Sequence, residues 1–332
     1  MRMHRKFKTV LFTLLFTGFF IFPAAAEDNA AEDEGGFKTS TELQFQVSTR
    51  PEARLRLNEG LTFPFLQGSG PLTKDNNITA VLSADVTPVS VSGIAEVNWT
   101  PAAFFVLSGG GRAGSGWNMP LGMGIGVNAP EDKNAPAPAP GDTPRKAKVY
   151  GDAFDGLLWS AWGAGTVQFD LAALFPGDWN HVLFQSRQEF RYSAYSGAGQ
   201  WDAWVFENDD RENQNGWIYY ASYVLGYHMP QSPVLDTIAF MAEMNMNLYN
   251  TSGGERWGGD LANWIFSGLF NFSIVPRFSA ALIIQMRTYR NYGVSNFENK
   301  DYYYRDFVLS DDGGQQRLLF YRAAVIFSYK IH

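Results

Sequence analysis

The ionised residues of this chain recur at alternate positions inside otherwise apolar segments. Glu42, Arg54, Arg56, Asp85, Glu96, Asp170, Arg187, Glu189, Arg191, Glu243, Arg287 and Arg322 each fall on the polar side of such a run. Six are arginines and six are acids, so the two signs intermix. Successive side chains of a strand point to opposite faces, so this spacing gathers the charges on one side of a sheet. A set of that kind can line a solute path as an ion-selecting constriction, or it can cross-link into a polar plug.

Other chemistry-bearing residues are sparse. His181, His228 and His332 follow the amino-terminal segment, and each falls at a strand end or chain end, where contact with head groups or water is expected. No His-x-x-x-His pair or His-rich cluster suggests a metal site, and none is assigned. The run Gly109-Gly110-Gly111-Arg112-Ala113-Gly114 fits G-x-G-x-x-G, but a dinucleotide site needs a parallel strand before it and a helix after it. Here it lies within or just after an antiparallel strand, where glycine permits a tight bend. Asp209-Asp210 and Asp311-Asp312 could assist Ca²⁺, yet neither completes a cation loop, so a solvated acidic surface is expected. The sequence implies no cofactor and no catalytic residues, hence no enzyme.

The elements that must position the charges are strands. In 236–249, Ile238, Phe240, Ala242, Met244, Met246 and Leu248 oppose Thr237, Glu243, Asn245 and Asn247. Segment 261–275 sets Trp264, Phe266, Phe270, Phe272 and Ile274 against Asn263, Ser267, Asn271 and Ser273. Similar alternation marks 41–49, 159–173, 182–195 and 318–332. Further candidates are 53–65, 78–87, 89–99, 103–113, 217–229 and 278–292. The total is about twelve strands, with ten or fourteen also open because parity flips near Pro88, as at a turn or a bulge. In 103–113 both faces are partly apolar and the phase is open. Short turns (100–102, 176–180, 230–235, 276–277) mostly alternate with long polar or Gly/Pro-rich loops (128–153, 196–216, 250–260, 293–316). An up-and-down barrel with short turns at one end and long loops at the other gives this pattern. The proline-rich run 135–144 is expected to be extended and solvated.

Composition narrows the class. The 332 residues contain no cysteine, which excludes a disulfide-stapled module, a thiol enzyme and an amino-terminal lipid anchor. Aromatic residues are 16% of the chain, too many for a disordered protein. A mean hydropathy of −0.19 argues against a polytopic helical membrane protein. Arg2, Arg5, Lys6 and Lys8 precede an apolar run over 9–22, then Pro23 and Ala24-Ala25-Ala26, which together read as a secretory signal cleaved after Ala26. Cleavage leaves 22 basic against 33 acidic residues, a charge of −11, which disfavours nucleic-acid binding. Residues 27–36 read as an acidic flexible tail and 37–332 as one β-barrel domain.

A soluble β-sandwich also alternates. It would bury the aromatic face and leave the charges in water, whereas a barrel in lipid does the reverse. Trp99, Trp159, Trp217, Tyr227, Tyr249, Trp264, Tyr289 and Tyr329 cluster near strand ends, as interfacial girdles do. The signal segment, the alternating strands and the terminal strand 318–332 together resemble Gram-negative-type outer-membrane β-barrel proteins, although the last residue is His332 where that family usually has Phe. Residues 61–118, with Leu61-Thr62-Phe63-Pro64-Phe65-Leu66, Asn98-Trp99-Thr100-Pro101 and Gly116-Trp117-Asn118, are also similar to uncharacterised spirochaete outer-membrane proteins. The resemblance implies an all-β, antiparallel up-and-down transmembrane barrel in a bacterial outer membrane. Its implied partners are outer-membrane lipid and the barrel-assembly machinery, and homo-oligomerisation stays open. The first functional expectation is a porin-like passive channel for small solutes, with the twelve charged residues lining the lumen as pore or plug. The alternative is a non-conducting barrel whose loops (Trp201, Trp204, Phe206, Asp209, Asp210, Tyr302, Tyr303, Tyr304) bind a ligand or host.

Overall fold

The computed structural model describes residues 36–331 apart from 51, 121, 133, 135–144, 176, 178–180, 208, 210–211, 249–257, 293–301, 304–305, 308 and 310–315. The signal segment, residues 27–35, the proline-rich run, Tyr249 and His332 lie outside the described residues. Fifteen strands are described: β1 (Lys38–Ser48), β2 (Ala53–Pro64), β3 (Asn77–Thr87), β4 (Ser90–Ala102), β5 (Phe105–Gly116), β6 (Ile125–Pro130), β7 (Ala147–Tyr150), β8 (Leu158–Asp170), β9 (Val182–Tyr195), β10 (Ala203–Phe206), β11 (Gly216–His228), β12 (Leu235–Asn247), β13 (Asn263–Val275), β14 (Phe278–Arg290) and β15 (Gln316–Lys330). Twelve of them close a barrel in the order β1-β15-β14-β13-β12-β11-β9-β8-β5-β4-β3-β2, every neighbour antiparallel. The first and last strands seal it, from Glu42 opposite Lys330 to Ser48 opposite Ala324. Closure matters because an unpaired backbone group in hydrocarbon costs several kcal/mol.

The twelve strands expected from alternation are the twelve barrel strands, with ends shifted by a few residues. Pro88 is a turn: Thr87 pairs with Ser90, and the inward residues change from odd numbers in β3 to even numbers in β4. In β5 the even-numbered residues Val106 and Ser108 are buried inside, which settles its phase and turns Arg112 inward. The barrel is inside-out relative to a soluble sandwich. Phe45, Leu82, Val97, Phe190, Leu225 and Phe240 are exposed on its outer wall, whereas Arg56, Asp85, Glu96, Arg187 and Glu189 are buried inside. Rings band each end of the outer wall. Trp159, Tyr192 and Trp217 form a chain of contacts at 5.3 and 5.4 Å near one rim. Phe169–Phe184 and Phe278–Phe327 sit near the other, at 5.3 and 6.0 Å.

Connections 117–157, 196–215, 248–262 and 291–315 share one end with the tight turns 49–52 and 88–89. The other end carries 65–76, 103–104, 171–181, 229–234 and 276–277 together with both barrel termini. Two of the long connections are not plain loops, contrary to the sequence reading. They contribute β6, β7 and β10 to a separate three-stranded antiparallel sheet, in the order β10-β6-β7. These strands have four to six residues each, too short for alternation to reveal.

Candidate functional site, the charged lumen

The small sheet is folded onto the rim of the barrel. Ala203 of β10 packs in a cluster with Tyr292, Tyr303 and Phe307, while Trp204 and Phe206 pack on Ile125, Leu158 and Tyr195. Alternation within β10 therefore serves two apolar contacts at once, and both sides are dry. Arg145 Nη2 donates to Asp306 Oδ1 at 2.5 Å, β10 pairs with β6, and Arg290 at the end of β14 pairs with Glu212, so three long connections are tied into one cap and to the barrel rim. Burial pushes the Tyr292 phenol well above its ordinary value, as expected of a hydroxyl enclosed in that apolar cluster.

Directly after β10, Glu207 enters the lumen. Its Oε2 accepts from Arg54 Nη2 at 2.5 Å, and its Oε1 accepts from Arg112 Nη2 and Ser90 Oγ at 2.8 Å each. Arg112 also lies over the Phe206 ring, 4.9 Å from its centroid. Arg56 binds Asp85 through two parallel bonds of 2.5 and 2.6 Å, and Arg54 Nη1 approaches the same carboxylate at 3.8 Å. Glu207 has φ +54°, a left-handed conformation that costs a non-glycine residue about 1 kcal/mol. The ion pairs offset that strain. Burial alone would favour the protonated acid, but Arg54 and Arg112, with the bond from Ser90, hold the Glu207 carboxyl at about 2.

Deeper inside, Glu96 Oε2 accepts from Trp162 Nε1 at 2.8 Å and from Arg187 Nη2 at 3.3 Å. Arg187 Nη2 also donates to Glu189 Oε2 at 2.8 Å, and Glu189 Oε1 accepts from Arg191 Nη2 at 2.7 Å. Arg187 and Glu189 are only 1% and 0% exposed. The glycine run of β5 explains how the indole reaches Glu96. A Cβ on Gly110 would lie 2.7 Å from the Trp162 ring and 2.7 Å from the Ala95 carbonyl oxygen. The G-x-G-x-x-G match is thus a clearance for a lumenal tryptophan on an antiparallel strand and not a nucleotide loop.

The remaining sequence-derived residues are spread around the wall. Glu243 accepts from Tyr220 Oη at 2.8 Å. Arg322 donates to Gln285 Oε1 and Glu52 Oε2, each at 2.6 Å, and Arg287 to Asn263 Oδ1 at 3.2 Å. Asp170 and Glu42 lie at the short-turn rim, Asp170 beside His181 and Glu42 opposite Lys330. The lumen is not polar throughout. Leu183, Val224, Ala239, Met241, Leu269, Ile283 and Ile326 form a buried apolar belt on β9 and β11–β15, toward the short-turn end.

Arg112, Glu207, Glu52, Trp162 and Tyr220 complete the network but were not expected from the sequence. Arg112 could have been found by extending the Val106–Ser108 parity. Glu207 carries no local signal, because it lies outside every alternating barrel strand. Trp204, Phe206 and Tyr303, expected as ligand-binding loop residues, are instead buried in the cap. Trp201 remains exposed, and Asp210 and Tyr304 lie outside the described residues.

No protein family is matched by the sequence, and no curated protein matches it significantly. Solved structures do match the architecture. The KdgM porin aligns over 88% of this chain and 99% of its own at 8% identity and TM-score 0.37. The NanC porin aligns over 88% and 100% at 8% identity and TM-score 0.40. The β domain of the Bordetella autotransporter BrkA aligns over 90% and 99% at 9% identity and TM-score 0.40. The fold is a closed twelve-stranded antiparallel up-and-down β-barrel with an apolar outer wall. Likeness of this depth says nothing about activity.

Proposed function

We propose that the protein is a bacterial outer-membrane barrel with a lumen closed at rest, whose working surface is the folded cap at the long-loop end. The observation that carries this is the near-zero exposure of the ions midway along the β2–β4 and β9 wall. A water-filled passage wets the charges that line it, whereas Arg187, Glu189, Glu96 and Asp85 are 2% exposed or less. Mutual pairing supports the same reading, because buried charges must be partnered to be tolerated. The apolar belt lines the β9 and β11–β15 side of the lumen toward the termini, and the Glu207 contacts tie the cap to β2, β4 and β5 at the other mouth. The termini face the periplasm and the cap faces outward, as in barrels with short inner turns. The cap offers exposed rings for a surface ligand: Trp201, and Phe154, whose ring lies 5.3 Å from that of Trp117. This is the role of a binding barrel and not of an enzyme.

Planar-bilayer recording of the refolded protein tests closure. The wild-type chain is expected to be silent, and steady single-channel steps overturn the proposal. A passive channel for small solutes is the second reading. It is favoured by buried lumenal atoms without a protein partner, namely Asn58 Nδ2 and Thr166 Oγ1. Such atoms call for water, so a hydrated path would exist once the cap is released.

A further inference from the structure

The two described histidines, remote from each other in sequence, meet at the short-turn mouth of the lumen. His228 ends β11, and its backbone N–H donates to the His181 carbonyl at 2.9 Å, one step beyond the Tyr227–Val182 pair. They are therefore cross-strand neighbours, and their rings lie edge to face with centroids 5.7 Å apart. Each ring is oriented from behind. His181 Nδ1 lies 3.2 Å from Asp170 Oδ2, while Asp170 Oδ1 accepts from the Ala172 backbone at 2.9 Å. His228 Nδ1 lies 3.1 Å from the Asp236 carbonyl oxygen and 3.5 Å from its Oδ1. The other Asp236 oxygen, Oδ2, accepts from Thr237 Oγ1 at 2.8 Å and Asn271 Nδ2 at 3.2 Å.

These contacts set the tautomer. A carbonyl and a carboxylate can only accept, and the Thr237 hydroxyl, 3.5 Å from His228 Nδ1, gives its proton to Asp236 Oδ2, so Nδ1 of each neutral ring carries the proton and Nε2 carries the lone pair. A histidine held this way by a carboxylate or carbonyl is the usual form of a metal ligand, since the partner fixes the ring and raises its basicity. With metal–nitrogen bonds of about 2.1 Å, two imidazoles on one tetrahedral ion have centroids about 5 Å apart. The observed centroid spacing of 5.7 Å is close to that value. Both side chains keep part of their surface open, 28% for His181 and 18% for His228. No group of three or more metal-ligating side chains occurs among the described residues, so the pair would leave other coordination positions to water.

We propose that His181 and His228 form a two-histidine site for a divalent transition-metal ion at the short-turn mouth, with Asp170 and Asp236 as positioning residues. Imidazole ligands without thiolate select Cu²⁺, Ni²⁺ and Zn²⁺, and the Irving–Williams order puts Cu²⁺ first. The proposal is independent of whether the lumen conducts.

The test uses untagged, refolded protein in detergent, titrated with Cu²⁺ and followed by calorimetry and electron paramagnetic resonance. One tight equivalent is expected, with hyperfine structure from two nitrogens. His181→Gln and His228→Gln should each weaken it at least tenfold and remove one nitrogen. Asp170→Asn, which keeps both ligands, should weaken it about tenfold, the usual effect of losing an outer-shell partner. A heat-modifiable gel shift confirms that each variant is a closed barrel. Absence of tight binding in the wild type, or wild-type affinity in both histidine variants, overturns the site. Wild-type affinity in D170N overturns the positioning role.

Discussion

Replacing Glu207 with alanine removes the carboxylate that joins the cap to the barrel wall. Its carboxyl sits at about 2 in place of 4.5, and at about 1.4 kcal/mol per pH unit this interval corresponds to about 3 kcal/mol of preference for the ionised, docked state. The side chain is only 13% exposed, so solvent screening removes little of that. Arg54 and Arg112 also lose a buried counter-charge, which puts the cost in the range for breaking a buried ion pair, about 3–5 kcal/mol. Three kcal/mol shifts the docked-to-released ratio by roughly a hundredfold. Amide hydrogen exchange in lipid nanodiscs reads this directly. The amides of β10 should exchange roughly a hundredfold faster in E207A, while those of β12 stay unchanged. Acid should act on the wild type in the same direction. Because the docked carboxyl is held below its ordinary value, its contribution is complete above about pH 4.5 and fades as the pH falls toward 2. E207A should lack that fading. Unchanged β10 protection in E207A, or identical acid profiles for the two proteins, refutes the idea that this carboxylate docks the cap. Channel openings in E207A alone would identify the cap as the closure of a hydrated path.

The other predictions concern the barrel itself. Arg187→Ala leaves Glu96 and Glu189 buried together without their shared cation, and unfolding in urea from lipid vesicles should show a loss of about 3–5 kcal/mol. A loss below 1 kcal/mol would mean that the network is solvated and the lumen open. Gly110→Leu places a side chain where Trp162 lies and should cost at least about 1–3 kcal/mol, with changed indole fluorescence. Unaltered emission refutes the clearance argument. Leu82 lies midway along β3 on the outer wall, so Leu82→Arg should cost about 2–4 kcal/mol in the same assay. A neutral effect would mean that this face is not in hydrocarbon.

Local pattern carried the secondary structure and the two faces. Alternation is a property of neighbouring residues, so Asp236–Tyr249 or Val182–Tyr195 declares its inner and outer faces without reference to the rest of the chain. Pro88 also declared itself through the parity change, although turn and bulge look alike until β3 and β4 are paired. The bulge at Tyr321 did not. Gln285 faces Arg322 and Met286 faces Phe320, so the extra residue exists only relative to β14. It carries Leu318 and Phe320 to the exposed outer side while Arg322 stays inside.

Sequence by itself determined that this chain makes lipid-compatible strands with a charged reverse side, because the period of a strand is two whatever it pairs with. Only the tertiary structure decided which of those charges meet. Glu207 meets Arg54 across 153 residues and Arg112 across 95, and His181 meets His228 only because β9 and β11 lie side by side. Whether inward charges line a passage or fill it depends on the barrel's circumference and on which side chains reach one another across it. Those are non-local quantities, fixed when the first strand pairs with the last.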